Sequence, residues 1–381
     1  MISFDFQMRT RIVFGPGKVD TLGELAGEIG ARRALVVSDP GIVKAGHTEH
    51  GLAALRRSGI DVEVFDGVTE NPTTENVAAG LEVARRFEPQ LLVGLGGGSS
   101  MDCAKGINFL YSNGGEMRDY WGVGKATKPM LPMIAVPTTA GTGSETQSFA
   151  LISDAKTHAK MACGDRKAAC RVAILDPQLT VTQPAKVTAL TGIDAIAHAV
   201  ETFVTQRRNP VSLLYSREAW RLLQANFRRV LDEPCDLEAR GAMQLGACFA
   251  GQAIEFSMLG AAHALANPLT AEYGIVHGQA VSLMLPHVVR FNAVECAPWY
   301  DELTVISAPG KGNSHRGAEG LSRFLTGLIE SAGLATRLAE IGVSESKLPQ
   351  LATEAAKQWT ATFNPRKVGE AELLALYRAA W

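Results

Sequence analysis

The stretch "LLVGLGGGSSMDCAKG" (91–106) decides how the chain is read. "LLVGL" is a short apolar run of the kind that forms a strand buried on both faces. Three glycines, Gly96, Gly97 and Gly98, end it. Ser99, Ser100 and Asp102 then supply groups able to cap or open a helix. A strand running through a glycine turn into a helix is the repeating unit of a parallel α/β sheet. Without side chains, these glycines let backbone amides close onto a phosphate, and the following helix N-terminus adds partial positive charge. The run is not GxGxxG, and on its own it reads equally well as a tight turn.

The same pattern extends to either side. Upstream, "RALVVSD" (33–39) and "DVEVFDG" (61–67) are strand-like, "GLAALRRSG" (51–59) is helix-like, and "TTENVAAGLEVARRF" (73–87) is an amphipathic helix opened by threonine caps. Downstream, "MLPMIAVPTTAGTGSE" (130–145) repeats strand then glycine turn, with the hydroxyls of Thr138, Thr139, Thr142 and Ser144 gathered in the turn. In a parallel sheet both turns fall at strand carboxyl ends, the edge where such folds bind ligands. Asp39 closes the strand "ALVVSD". An acid there accepts hydrogen bonds from a ribose diol and repels a 2′-phosphate, but Asp-Pro-Gly also makes a good turn unaided. The opening "MISFDFQMRTRIVFG" (1–15) alternates like a strand and lacks the layout of a signal peptide.

From about Pro184 the periodicity changes. Val187, Leu190, Ile193, Ala197, Val200 and Val204 recur every three or four positions, and helical periods continue through 211–231, 237–266, 278–292 and the tail. We place a domain boundary near 180–184, giving an α/β domain over 1–182 and an all-helical domain over 183–381. A chain of 381 residues is long enough for two cores. Its formal net charge of -2 leaves no basic excess for nucleic acid or an anionic membrane. No apolar run approaches the roughly 18 residues of a membrane helix. The six cysteines show no CxxC pair and read as reduced thiols of a cytoplasmic protein.

The helical half holds a second constellation. "TGIDAIAHAVETF" (191–203) sets Asp194 and His198 four residues apart, on one helix face amid apolar neighbours. A buried carboxylate is costly unless paired or metal-bound. His263 lies in an equally apolar helix, and His277 follows in a Val-His-Gly turn. One carboxylate and three imidazoles suit a first-row divalent ion, with Fe(II) and Zn(II) both acceptable. Spacing alone does not show that the four converge; core filling and a simple helix-surface pair stay open. His47, His50, His158 and His315 read as solvated, His287 as packing, and Arg207-Arg208 as a solvated turn.

With these motifs in place, the chain resembles the iron-dependent, or group III, alcohol dehydrogenases along essentially its whole length. The resemblance is carried by "FGPGKV" (14–19), "GGGSSMD" (96–102), "PTTAGTGSE" (137–145), "LDPQL" (175–179), "TGIDAIAHAVE" (191–201), "PHVVRFN" (286–292) and the ending "NPRKVGEAELLALYRAAW" (364–381). It implies an N-terminal Rossmann-like dinucleotide-binding α/β domain, a C-terminal all-α metal-binding domain, an active site in the cleft between them, and a homodimer or higher homo-oligomer. It also implies metal ligands at Asp194, His198, His263 and His277, with Fe(II) the usual ion and Zn(II) an alternative. Gly97, Gly98 and Ser99 match the pyrophosphate turn, and Thr138, Thr139 and Thr142 match the second cofactor loop. Asn71, Phe149, Lys160 and Leu179 match further cofactor contacts, and Asp39 the position that goes with NAD over NADP. One position departs from the family. Members often carry a histidine one turn after the third ligand, where this chain has Asn267.

The expected activity is hydride transfer between NAD(H) and a small alcohol or aldehyde, with the metal polarising the substrate oxygen and with Asn267 and His277 nearest the chemistry. Phe149, Phe256 and Leu259, taken as helical-domain residues lining the pocket, point to a short apolar substrate. The alternatives are a hydroxyacid–oxoacid transhydrogenase with tightly held NAD, a lyase of the dehydroquinate synthase type, and an inactive NAD-binding scaffold. Net NADH release and metal content separate them.

Overall fold

A computed structural model of the chain describes residues 4–157, 159–307 and 316–381; His158 and His315 lie outside the described residues. The chain divides into two compact units, one of Gln7–Gln183 and one of Met1–Phe6 with Pro184–Trp381.

In the first unit the elements run β1 (Arg11–Phe14), α1 (Leu22–Glu28), β2 (Arg33–Val37), α2 (Pro40–Lys44), α3 (His47–Arg57), β3 (Asp61–Phe65), α4 (Thr74–Phe87), β4 (Leu91–Gly96) and α5 (Gly98–Asn113). There follow β5 (Gly122–Val123), β6 (Met133–Pro137), β7 (Phe149–Ser153), β8 (Lys160–Gly164) and β9 (Val172–Leu175). Six strands form one sheet in the order β1-β9-β6-β4-β2-β3, and every pairing within it is parallel. Alternate residues of β2 explain its unbroken apolar run: Leu35 and Val37 enter one core with Leu92 and Ile107. Ala34 and Val36 enter another with Leu55 and Ile134. Both faces are therefore covered, as a parallel sheet requires.

This topology positions the glycine turn. The chain leaves β2 for β3 on one side, then crosses back to lay β4 on the other side of β2. The crevice outside the carboxyl ends of β2 and β4 is thus the topological switch point, where open α/β sheets bind ligands. Asp39 follows one of these strands and Gly97 the other.

Two expectations change here. The opening alternation is a strand only over Arg11–Phe14, and the Phe6 ring instead packs edge-on against Phe256. Phe149 is a strand residue of β7, so it belongs to the α/β unit and not to the helical one. A small three-stranded sheet, β5-β8-β7, carries it; its strands are too short, two to five residues, to stand out from loop sequence.

The second unit is helical: α6 (Ala185–Val204), α7 (Pro210–Asp232), α8 (Leu237–Phe256), α9 (Ala261–Tyr273), α10 (His277–Ser307), α11 (Gly317–Ser331), α12 (Leu348–Ala356) and α13 (Glu370–Ala380). By length and hydropathy α6 could cross a bilayer, but 89% of its apolar window is buried inside the protein, as in the core helix of a bundle. The helical period over 237–266 is not one helix. The chain bends by 104° between α8 and α9. Gly260, at the turn, is tightly surrounded: a Cβ there would meet Asn364 Oδ1 at 3.0 Å and Glu201 Oε1 at 3.1 Å.

Two solvated readings also fail. His47 is buried in α3 and its Nε2 pairs with Thr182 Oγ1 at 2.6 Å. Arg208 stacks its guanidinium 3.7 Å over the Trp299 ring.

Candidate active site

Helix α6 is the platform of the histidine cluster. Asp194 and His198 fall on one face, a turn apart, and His198 Nε2 lies 3.5 Å from Asp194 Oδ1. The bend at Gly260 starts α9 so that its first turn brings His263 Nε2 to 3.4 Å from the same oxygen. His277 opens α10 and sets its Nε2 at 3.8 Å. Gly278 makes that approach feasible, since a Cβ there would stand 2.1 Å from the Leu190 carbonyl of α6. One ligand atom from each of Asp194, His263 and His277 lies within 4.8 Å of the others, and the His198 ring stacks on His263 at 4.8 Å between centroids.

The electrostatics follow from burial. Asp194, His198 and His263 are nearly inaccessible, at 6%, 5% and 4% exposure. Burial alone would raise the Asp194 carboxyl, but the surrounding histidines, His198 foremost, more than offset this and hold it below the usual carboxylate range. For His263, burial works downward while Glu201 and then Asp194 carry it up to about 9. Asp194 Oδ1 and His263 Nε2 are buried and have no hydrogen-bond partner. With the His263 ring neutral, as a ligand must be, these are two acceptors facing each other in a dry site, which is costly. A proton on Nε2, which the raised pKa of His263 favours, or a divalent cation among the carboxylate and the imidazoles removes that cost. The donor set fits iron(II), and zinc(II) as well.

Asn267, four residues beyond His263 in α9, is half-buried and donates from Nδ2 to Gln358 Oε1 at 2.9 Å. Sequence reasoning missed Glu201. Its Oε2 accepts from His263 Nδ1 at 2.5 Å. The available signal was its place three residues after His198 and seven after Asp194, on their helix face.

In the α/β unit, the two turns pack against each other. A Cβ on Gly98 would meet Thr142 Oγ1 at 2.7 Å, and one on Gly97 would stand 3.5 Å from Thr139. Gly96, at φ +151°, leaves room for Ser100 Oγ, which a Cβ would meet at 2.4 Å. No side chain caps the N-terminus of α5, so its first amides can face an anion. The Thr138 hydroxyl is buried without a partner. Such an orphan fits a polar ligand such as the cofactor.

Asn71 N donates to Ser99 Oγ at 3.3 Å, and Lys160 Nζ donates to Asn71 Oδ1 at 3.4 Å, so these three candidates meet. Leu179 packs in the core. Asp39 combines both of its readings. Oδ1 caps α2 by accepting from Gly41 and Ile42, and Oδ2 accepts from Ser100 Oγ at 3.2 Å.

A buried brace beneath the second turn also went unread in the sequence. Lys105 Nζ donates to Ser144 O, Ser144 Oγ and Phe149 O at 2.7, 2.8 and 2.9 Å, and Ser144 Oγ donates to Asp102 at 2.5 Å. Beside it, burial pushes the Glu145 carboxyl up to about 7, with its own backbone amide and Lys105 offsetting only part.

Known proteins share this architecture. A family model described as iron-containing alcohol dehydrogenase matches residues 9–177, and one described as Fe-containing alcohol dehydrogenase family, C-terminal, matches 188–381. The chain is 35% identical over 382 residues to 1,3-propanediol dehydrogenase of Klebsiella pneumoniae, covering 99% of each. Among solved structures, a 1,3-propanediol oxidoreductase matches with TM-score 0.96 at 35% identity over 100% of both chains. A sulfoacetaldehyde reductase from Bifidobacterium kashiwanohense in complex with NAD+ matches with TM-score 0.90 at 27% identity, covering 100% of this chain and 99% of that one.

Proposed function

The chain belongs to the iron-containing alcohol dehydrogenases, and from that premise we propose an NAD-dependent enzyme that interconverts a small alcohol and its aldehyde. The ligands are Asp194, His198, His263 and His277, with iron(II) the resident ion and zinc(II) a workable substitute. When both are bound, the ion supplies Lewis acidity toward the substrate oxygen and the nicotinamide supplies or accepts the hydride.

The observation that carries this reading is the facing pair of orphaned atoms, Asp194 Oδ1 and His263 Nε2, 3.4 Å apart with His277 beside them. Asp194 contributes the one carboxylate among the proposed ligands, and the imidazoles bind as neutral donors. The uncapped start of α5, the Thr138 hydroxyl and the Asn71–Ser99–Lys160 contact support NAD at the switch point of the sheet. Asp39, already engaged by the α2 amides, offers a fixed carboxylate that disfavours a 2′-phosphate.

Asn267 cannot take or release a proton near neutrality, and its Nδ2 is committed to Gln358. It therefore does not relay protons in the proposed reaction. Phe256 and Leu259, half-buried at the α8–α9 bend, favour a short apolar chain on the substrate. The described cysteines are free thiols, which supports a cytoplasmic setting, and we extend the family's homo-oligomeric habit to this chain.

The test is an NAD(H)-linked screen of primary alcohols, diols and aldehydes on protein reconstituted without oxygen with Fe(II) and, separately, Zn(II). Activity with Fe(II) on at least one short alcohol is expected. Inactivity with both ions across all classes would sink the proposal.

A further inference from the structure

Glu201 is a carboxylate that the proposed chemistry does not use, yet it is 4% exposed and pairs with no Lys or Arg among the described residues. Burying such a group is expensive unless each oxygen is satisfied. Its two oxygens take different partners. Oε1 accepts from the Ala262 amide at 2.7 Å, and Oε2 accepts from His263 Nδ1 at 2.5 Å. Ala262 lies in the first turn of α9, whose N-cap, Gly260, has no side chain to cap it. Glu201 does that work from α6, with Asn364 Oδ1 taking the neighbouring Ala261 amide at 3.2 Å.

The second contact sets the chemistry of the histidine. In the neutral ring that a metal ligand must be, Nδ1–H donates to Glu201, so the other ring nitrogen, Nε2, is the lone-pair atom, and it is the one turned toward Asp194. Ligating histidines are commonly held in this way by an acceptor on the far nitrogen. Asp194, His198 and Glu201 occupy positions i, i+4 and i+7 of α6, so one helix face carries two ligand candidates and the group that orients a third.

We propose that Glu201 is a positioning residue of the metal site, fixing both the tautomer of His263 and the seat of the α9 N-terminus against α6. The proposal rests on the metal reading above and adds to it. Only a carboxylate suits the place, because both partners are N–H donors. A glutamine can present its oxygen to Ala262 only by turning its NH2 toward Nδ1. That favours the tautomer with the proton on Nε2, where it blocks ligation. Turned the other way, the NH2 faces the Ala262 amide, donor against donor.

The experiment measures Co(II) and Zn(II) affinity of the metal-free full-length protein by competition with a chromophoric chelator, together with the Co(II) visible spectrum. Glu201→Gln should weaken binding by about 10- to 100-fold and change the Co(II) spectrum. Glu201→Asp, which keeps the charge but loses one methylene of reach, should fall between Glu201→Gln and the wild type. A role limited to helix capping predicts wild-type affinity and spectrum in Glu201→Gln, which still offers Ala262 an oxygen; that result overturns the assignment. Should Glu201→Gln fail to fold, wild-type affinity in Glu201→Asp overturns it equally. A wild-type chain that takes up neither ion overturns the metal reading and this assignment with it.

Discussion

Asp194 Oδ1 and His263 Nε2 face each other at 3.4 Å from two different helices, and neither atom has a hydrogen-bond partner. With the His263 ring neutral, leaving both unsatisfied is costly, and a cation bound by both removes that cost. Asp194→Asn removes the only carboxylate among the proposed ligands and turns an amide toward three imidazoles. Its metal affinity should fall by at least about 100-fold, beyond the 10- to 100-fold typical of groups that only orient ligands. Adding metal at about 100 times the dissociation constant stabilises a wild-type chain by about 2.7 kcal/mol. Thermal melts with and without Zn(II) should therefore separate the wild type, whose Tm rises, from Asp194→Asn, whose Tm does not.

Thr138 offers a cleaner test of the cofactor side. Its hydroxyl is buried without a partner, so Thr138→Val removes a group that contributes nothing favourable to the empty site. The variant should melt at or slightly above the wild-type temperature. If the hydroxyl meets NAD, losing that hydrogen bond costs about 0.5–1.5 kcal/mol, or roughly 3- to 10-fold in Kd. Calorimetric titration with NAD+ reads this directly, and unchanged affinity would remove Thr138 from the cofactor site.

Glu145 predicts a pH dependence of stability. Its carboxyl is raised from 4.5 to about 7 in the folded protein, chiefly by burial. A raised folded pKa means that the folded state holds the proton more tightly. The resulting stability is full below about pH 4.5 and is lost as pH rises through 7. At 1.36 kcal/mol per unit the loss is of order 3 kcal/mol at most. Glu145→Gln keeps a neutral side chain at every pH. Urea melts should find it more stable than the wild type at pH 8 and indistinguishable at pH 4.5. Equal stability at both would mean that Glu145 ionises at no cost.

What could be read from the sequence divides along physical lines. Strands β2, β4 and β6 are buried on both faces, so they appear as unbroken apolar runs, and Gly96 and Gly98 mark a turn with no room for a side chain at either position. Asp194 and His198 are visible because a carboxylate amid alanines and isoleucines is anomalous. Glu201 escaped notice because the next residues of the same helix look like an ordinary amphipathic end, and its partner is 62 residues away. The break between α8 and α9 was hidden for a similar reason. "FSMLGAAHALA" keeps a helical apolar period across the bend, and the side chains that close in on Gly260 there, Glu201 and Asn364, come from distant segments. Lys105 looks like a surface lysine of α5 until the oxygens of Ser144 and Phe149 close around it.

Asn267 is where this chain departs from the pattern that it otherwise follows, and it carries the last prediction. It stands one turn beyond His263 in α9 and shares a hydrogen bond with Gln358. Both side chains are amides that keep their protonation through the physiological range. Asn267→His introduces a group that titrates near pH 6.5 at a half-buried position, while Gln358 Oε1 remains able to accept from a ring N–H. Asn267 is not fully buried and its hydrogen bond to Gln358 can be kept by a ring N–H, so activity should stay within about tenfold of the wild type. The pH profile of kcat/KM should gain an inflection between about pH 6 and 8, absent from the wild type. An Asn267→His profile that overlays the wild type would place residue 267 away from the reacting atoms.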